Sequence, residues 1–155
     1  MQPGMYQEYL DNEVLTADPI KLIQLLYRGA LESIAQARAA LAAGDISARG
    51  HMVGKAVAIV NELALSLDHS QSPELSRNLV ELYDYMARRL NEANAKQADE
   101  PLAEVARLLA DLLTAWQQVA EQALQPTLSA ETVGGGAAAY AAEAGAEYQR
   151  VSYAW

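Results

Sequence analysis

Apolar residues recur every three or four positions in four stretches of the chain, and this spacing predicts four helices. The first predicted helix begins at Asp18-Pro19, because aspartate is a good N-cap and proline is tolerated at the first helical position. It ends at Gly44, since glycine readily adopts the left-handed conformation that follows many helices. Its apolar stripe comprises Ile23, Leu26, Ala30, Ile34, Ala37 and Leu41.

The second predicted helix starts at a cap formed by Asp45 or Ser47 and continues to a polar connection at residues 68–71. Gly50 and Gly54 weaken its first turns, each by up to about 1 kcal/mol relative to alanine. Its main stripe comprises Val53, Ala56, Val60, Leu63 and Leu67.

The third and fourth predicted helices repeat the same start signals. Pro73, preceded by a serine, opens the third helix, and Asp99 or Glu100 caps the fourth just before Pro101. Pro126 closes the fourth helix, because proline cannot continue it. The stripes comprise Leu75, Leu79, Leu82, Met86, Leu90 and Ala93 in the third helix and Leu102, Val105, Leu109, Leu112, Trp116, Val119 and Ala123 in the fourth.

Four helices of about 20–25 residues with short connections favour an all-α fold, an antiparallel four-helix bundle about 30–37 Å long. We predict that this bundle spans residues 18–125. Residues 1–17, polar with interspersed hydrophobes, are predicted to form an N-terminal cap segment. Residues 126–155 contain alanine, glycine and isolated tyrosines, and are predicted to form a flexible tail because they carry too few large aliphatic side chains for a core.

Charge and composition restrict the partners and the compartment. The net charge is −9, from 11 basic and 20 acidic side chains, and no basic cluster exceeds Arg88-Arg89, so nucleic acid is not an expected partner. The sequence has no cysteine, no recognisable secretory signal and no apolar run near the ~20 residues of a membrane span. We therefore expect a cytoplasmic protein without membrane insertion.

Residue types that carry catalysis are scarce in this sequence. The two histidines, His51 and His69, are 18 positions apart, and isolated histidines in a helix or a loop are usually solvated or capping side chains. Gly134-Gly135-Gly136 lacks the strand and the lysine of a phosphate loop, so a linker is the better interpretation. We predict no enzymatic activity, no cofactor and no metal site; the two histidines alone leave a ligand- or metal-binding bundle open as a hypothesis.

The first two helices carry more apolar residues than one core-facing stripe requires. The additional residues are Leu22, Leu25, Leu26 and Tyr27 in the first helix and Met52 and Ile59 in the second. From pattern alone, a thoroughly packed core and a groove for a partner helix are equally good interpretations. Small residues favour the groove slightly, because they would leave shallow furrows; they are Gly50, Gly54, Ala56, Ala58 and Ala64.

Tyrosines ahead of the first helix need an explanation, because a terminal segment rarely carries aromatic residues without a place to bury them. Tyr6 and Tyr9 either fasten the terminus to the bundle or fill a groove until a partner binds. In the third helix, Tyr83 is predicted at the edge of the core with its hydroxyl at the rim.

A specific combination of segments runs in order along residues 5–124. It comprises residues 5–9 with a Tyr-x-x-Tyr opening, 14–19, 22–30 with Leu-Tyr-x-Gly-Ala, Ala37, Gly44-Asp45, 55–63, 66–68, 79–90 with Leu-Tyr-x-Tyr-x-x-Arg-Arg-Leu, 92–94 and Trp116. Together these segments resemble the flagellar secretion chaperone FliS family.

The resemblance implies a cytoplasmic four-helix chaperone that binds the disordered C-terminal segment of flagellin, prevents its premature polymerisation and supports its export by the flagellar type III apparatus. Components of that apparatus are further candidate partners. The resemblance also makes the N-terminal tyrosines a removable cover over a hydrophobic groove. The candidate partner-binding residues are Tyr6, Tyr9, Leu22, Leu25, Leu26, Tyr27, Met52, Ile59, Leu63 and Tyr83.

Two features depart from the resemblance. Arg28 stands where the family usually has an acidic residue, so a contact there is expected to differ. Residues 126–155 fall outside the matching segments, and the resemblance implies nothing about them. The alternative function is a structural or adaptor bundle that forms homo-oligomers through the same apolar faces, and the oligomeric state stays open.

Overall fold

A computed structural model describes residues 18–123, and within that range the chain forms four helices and no strand. The helices are α1 (Pro19–Ala43), α2 (Ile46–Leu65), α3 (Pro73–Lys96) and α4 (Glu100–Ala123). The predicted all-α fold is confirmed; α1 and α3 begin at their predicted prolines, and of the two caps predicted for α2 the structure uses Asp45. The predicted cap segment at 1–17 and the predicted tail at 126–155 lie outside the described residues.

The helix ends follow from short polar contacts that the sequence announces. Asp18 accepts a hydrogen bond from the Lys21 amide at 2.8 Å, and Asp45 accepts one from the Ala48 amide at 3.0 Å, so aspartates cap α1 and α2. Gly44 ends α1 with a φ of 72°, a left-handed conformation that glycine adopts without steric cost. Between these two helices the chain therefore reverses in only two residues.

Two predicted boundaries differ in detail from the structure. The side chain of Ser72 makes no capping hydrogen bond, so α3 starts at its proline without that support. Helix α2 ends at Leu65, and Leu67 of the predicted stripe lies beyond the helix, although it still packs against the core. Asp99 precedes α4, where its carboxylate binds Arg38 of α1 in a bidentate pair at 2.7 and 2.9 Å.

The four helices form a ring in which each packs against two neighbours, in the order α1, α2, α3, α4 and back to α1. The neighbours are antiparallel. Arg38, near the end of α1, pairs with Asp99 at the start of α4. Arg49, near the start of α2, binds the side chain of Asn94 near the end of α3 at 2.9 Å. The structure thus has the up-down-up-down arrangement that short connections impose.

The core runs along the axis of the ring and draws on all four helices. Its buried hydrophobic members are Tyr27, Ala30, Ile34, Ala37, Val53, Ala56, Val60, Leu63, Leu79, Tyr83, Met86, Leu90, Ala93, Leu102, Val105 and Leu109. The hydroxyls of Tyr27 and Tyr83 lie 2.5 Å apart, which joins α1 to α3 across the bundle. The prediction that the Tyr83 hydroxyl reaches the rim was wrong, because this buried partner holds it inside.

Candidate functional site

Neither histidine takes part in a cluster of metal-ligating side chains. Both His51 and His69 are exposed, and residues 18–123 contain no group of three or more histidine, cysteine, aspartate or glutamate side chains placed to hold a metal ion. No helix in the same range is long and apolar enough to cross a membrane. The apolar residues outside the core are the remaining candidates for a functional surface.

Three of the predicted partner-binding residues are core residues. Tyr27 is fully buried, and Leu63 and Tyr83 are each 2% exposed. Their side chains point towards the axis of the bundle, because their helical positions coincide with the core stripes of α1, α2 and α3. The free bundle does not present them to a partner, which corrects their placement on the surface.

Five other predicted residues are half-buried. Of these, Leu26, Met52 and Ile59 pack against the core from its margin. Leu22 and Leu25 are also half-buried, but they are not among the hydrophobic residues of the described range that pack against the core. Two leucines of α1 thus lie on a surface that the four-helix core does not use.

The contact between α1 and α2 shows where these two leucines lie. A Cβ atom at Gly29 would come 3.4 Å from Cδ1 of Ile59, so Gly29 faces α2 at close range. Leu25 and Leu22 precede Gly29 by four and seven residues, which places them on the same face of α1. Met52 precedes Ile59 by seven residues and shares its face of α2.

These five residues, Leu22, Leu25, Gly29, Met52 and Ile59, form what we call the α1–α2 furrow. It is lined by apolar side chains along two antiparallel helices and is shallow at its glycine, where the helices approach each other. An amphipathic helix or an extended apolar segment packs into a surface of this shape. Tyr6 and Tyr9, its predicted cover, lie outside the described residues.

The small residues of α2 do not form one continuous furrow. Ala56 is buried in the core, and Ala64 packs against the core from its margin. Gly50 faces Asn94 of α3, whose side-chain atoms lie 3.9 and 4.0 Å from the position of a Cβ atom. Gly54, in contrast, has no atom within 4 Å of that position. The expected set of five is therefore divided between the core, the contact with α3 and open surface.

A polar cluster at the contact between α3 and α4 was not predicted. Arg89 binds Glu92 at 2.8 Å and Glu104 at 3.0 Å, Lys96 binds Glu92 at 2.8 Å, and the Tyr85 hydroxyl donates to Glu104. We call these five residues the polar seam. This role of Glu104 was not predicted; the available signal was an acidic residue near the start of a helix that packs antiparallel to α3.

The electrostatics of the polar seam follow from these contacts. The Tyr85 hydroxyl and then the Arg89 guanidinium stabilise the charged carboxylate and hold the pKa of Glu104 below its usual range. Lys96 and Arg89 lower the pKa of Glu92 in the same way. Donation to a carboxylate raises the pKa of Tyr85, because ionisation of the phenol would remove that hydrogen bond. These contacts link α3 to α4 through Glu104 and join residues of α3 to one another through Glu92.

The structure also shows where Arg28 lies, the residue that stands in place of the acidic residue usual in the family. Arg28 is an exposed residue of α1, next in sequence to buried Tyr27 and to Gly29 of the α1–α2 furrow. It makes no ion pair with any other residue of the range 18–123. Its positive charge therefore stays available to solvent at the edge of the helix.

The family model described as flagellar protein FliS matches residues 1–123. The chain is 38% identical over 118 residues to a flagellar secretion chaperone FliS of Salmonella typhimurium, covering 76% of this chain and 87% of that protein. It is 40% identical over 115 residues to flagellar secretion chaperone FliSB of Pseudomonas aeruginosa, with 74% and 91% covered. For the Bacillus subtilis FliS the identity is 38% over 113 residues, with 73% and 84% covered. The chain therefore belongs to the FliS family of flagellar proteins.

Proposed function

We propose that this protein is a cytoplasmic flagellar secretion chaperone that binds the disordered C-terminal segment of flagellin, one copy to one, and keeps it from polymerising before export. The observation that carries the proposal is the α1–α2 furrow, an apolar surface of a FliS-family bundle in which Leu22 and Leu25 lie outside the core contacts. The relatives' names, flagellar secretion chaperone, support the same function. We propose no catalytic step and no cofactor.

The furrow suits a disordered client for an energetic reason. A flexible segment loses conformational freedom when it binds, and that cost must be offset by buried apolar surface. Leu22 and Leu25 supply such surface without any loss of core packing, since they lie outside the core contacts. Met52 and Ile59 extend it along α2, so that a client helix would contact both helices.

Tyr6 and Tyr9 are proposed to cover the furrow when the client is absent. The N-cap of α1 is Asp18, and Leu22 lies one helical turn after it. The Leu22 end of the furrow is thus the end next in sequence to the tyrosines, which supports the proposed cover. Removing residues 1–15 is expected to change the client's dissociation constant, and an unchanged constant would contradict the role of a cover.

The binding proposal is tested by isothermal titration calorimetry with full-length flagellin and with flagellin that lacks its C-terminal segment. We expect one-to-one binding of the full-length protein and no measurable heat with the truncated one. Equal binding of the two forms would contradict the proposal.

The location of the site is tested by Leu25→Asp, which places a charge in the α1–α2 furrow. We expect flagellin binding to weaken by about tenfold or more, since a charge cannot be desolvated there without cost. Ile46→Asp is the matched control, because Ile46 is 63% exposed at the start of α2 and outside the furrow. If both variants bind equally well, the furrow is not the site.

The same samples distinguish the alternative function. A bundle that forms homo-oligomers through its apolar faces would sediment as a stable dimer or larger species, with no affinity for flagellin. Sedimentation velocity of the wild type and of Leu25→Asp separates the two functions, because only the alternative predicts that the charge shifts the protein to monomer.

A further inference from the structure

The end of the bundle where α2 passes into α3 carries an apolar surface distinct from the α1–α2 furrow. Leu65, the last residue of α2, is 80% exposed, the highest value among the large hydrophobic residues described as exposed. The connection that follows and the start of α3 line an open cavity of about 440 Å³. We call it the end pocket; its lining residues are His69, Pro73, Arg77, Val80 and Glu81.

The sequence beyond α4 contains a segment suited to such a surface. Tyr140, Ala144, Tyr148, Val151 and Trp155 follow one another at spacings of four, four, three and four, which places them on one face of a helix. Tyr153 falls on the opposite face. The family match stops at residue 123, so this segment is not covered by what the family has in common.

We propose that residues 137–155 form an amphipathic helix that docks in the end pocket, with Tyr148 and Trp155 against Pro73 and Val80. The occupant is thus a part of the same chain. In this arrangement the aromatic rings would cover Pro73 and Val80, the apolar residues of the lining. The proposal does not depend on flagellin binding, because it concerns another face of the bundle.

The length of the connection allows this contact. Helices α3 and α4 are antiparallel neighbours, so α4 ends at Ala123 at the same end of the bundle where α3 begins. Residues 124–136 then span up to about 43 Å when extended and about 20 Å as a flexible chain. Gly134-Gly135-Gly136 adds freedom just before the proposed helix. A tether of this length gives an effective concentration in the millimolar range, so that even weak packing produces docking.

Charge also favours this occupant. Arg77 is exposed at the pocket and makes no ion pair with any residue from 18 to 123. Glu143 and Glu147 are four residues apart and share one flank of the proposed helix, so a carboxylate can approach Arg77 while the aromatic stripe faces the pocket. Glu81 is the acidic residue of the lining and limits this attraction to the Arg77 side.

The proposal is tested by paramagnetic broadening in the full chain. The sequence has no cysteine, so Gln71→Cys gives a single site for a nitroxide label in the exposed connection beside the pocket, and Ser47→Cys gives a control label near the start of α2. Broadening by a nitroxide falls steeply with distance. We expect the label at position 71 to remove about half or more of the amide intensity of residues 148–155, as the millimolar effective concentration implies, and the label at position 47 to leave it unchanged.

Matched variants decide whether the docking that brings residues 148–155 near the label depends on the proposed stripe. Tyr148→Ser combined with Trp155→Ser should abolish it, while Tyr153→Ser on the opposite face should not change it. Val80→Glu in the pocket should abolish it as well. Equal broadening by the two labels would overturn the proposal. So would broadening that persists in the Tyr148→Ser/Trp155→Ser variant and in the Val80→Glu variant. If a separate copy spin-labelled at position 71 broadens residues 148–155 of the cysteine-free, ¹⁵N-enriched wild type, the proposal is also overturned, because the occupant is then a second molecule.

Discussion

The two sides of the bundle are held together in different ways. Where α1 meets α2, a glycine lets the helices approach closely, and the residues along the outside are apolar. Where α3 meets α4, the outside carries the polar seam, in which Arg89 and Glu104 connect the two helices directly. All four helices contribute residues to the core between these two sides.

This difference indicates which side of the bundle is free to bind a partner. Carboxylates and guanidinium groups that already pair with one another offer a partner little, since breaking these ion pairs would leave charges unpaired. Apolar side chains outside the core gain by being covered, because they lose contact with water. The α1–α2 side is therefore the binding side in the proposed function, and the α3–α4 side stabilises the fold.

The largest expected effect is a loss of stability from the shared core, on either side. Ile34→Ala in α1 and Leu109→Ala in α4 remove side chains that are 1% and 0% exposed. Each should lower the free energy of unfolding by about 2–5 kcal/mol, as cavity-forming substitutions do. Urea unfolding followed by circular dichroism measures this. Ile46→Ala, at an exposed position, should stay within about 0.5 kcal/mol of the wild type, and a large loss for only one core variant would contradict a core shared by both sides.

A smaller effect concerns the hydrogen bond that joins the two sides through Tyr27 and Tyr83. Tyr27→Phe or Tyr83→Phe removes that bond while keeping the ring, and should cost about 1 kcal/mol of unfolding free energy. Because both changes break the same bond, the double variant should lose less than the two single losses added together. Additive losses in this double-mutant cycle would show that the two hydroxyls do not stabilise each other.

The polar seam should make part of the stability depend on pH. The pKa of Glu104 is lower in the folded protein than in the unfolded chain, so its contribution is present above the unfolded value of about 4.3 and is lost as pH falls through the folded value. Glu104→Gln should therefore lose less stability between pH 7 and pH 3 than the wild type does.

The measurement is the urea midpoint of wild type and variant at both pH values. Glu121→Gln, an exposed change on the same helix, is the control and should follow the wild type. If Glu104→Gln also follows the wild type, the seam does not contribute through this carboxylate.

The smallest expected effect distinguishes two helical glycines, Gly29 in the α1–α2 furrow and Gly54 on the open surface of α2. Gly29→Ala and Gly54→Ala both replace a helical glycine and should each raise the free energy of unfolding by about 0.5–1 kcal/mol. At Gly29 the new methyl group meets the flexible end of Ile59 at 3.4 Å, whereas at Gly54 it meets nothing within 4 Å. Only Gly29→Ala fills the α1–α2 furrow, so only this variant should weaken flagellin binding. Calorimetry that finds the two variants equal in affinity would place the client elsewhere.

The local signals of the sequence predicted most of the fold. Asp18, Asp45 and Gly44 act through their nearest neighbours in the chain, so their roles as caps could be inferred from position alone. The periodic stripes likewise predicted the core residues of all four helices except Tyr27 and Tyr83. Such features depend on contacts three or four residues apart, which one sequence makes visible.

The side-chain surroundings within the bundle were less predictable. Tyr27 belongs to a wide apolar face of α1, and the rotation of that helix against α2 and α4 decides which part of the face is buried. The partner of the Tyr83 hydroxyl was also not predictable, because Tyr27 lies 56 residues earlier in the chain. Arg49, 5% exposed and bound to Asn94, was also missed, because a buried arginine becomes evident only once its distant acceptor is in place.

The most direct test of the account is a methyl NMR titration of the full chain with the C-terminal segment of flagellin. The methyl signals of Leu22, Leu25, Met52 and Ile59 should shift on binding. Those of Leu82 and Leu108, on α3 and α4, should stay in place. Shifts confined to α3 and α4, with the α1–α2 furrow unchanged, would contradict it.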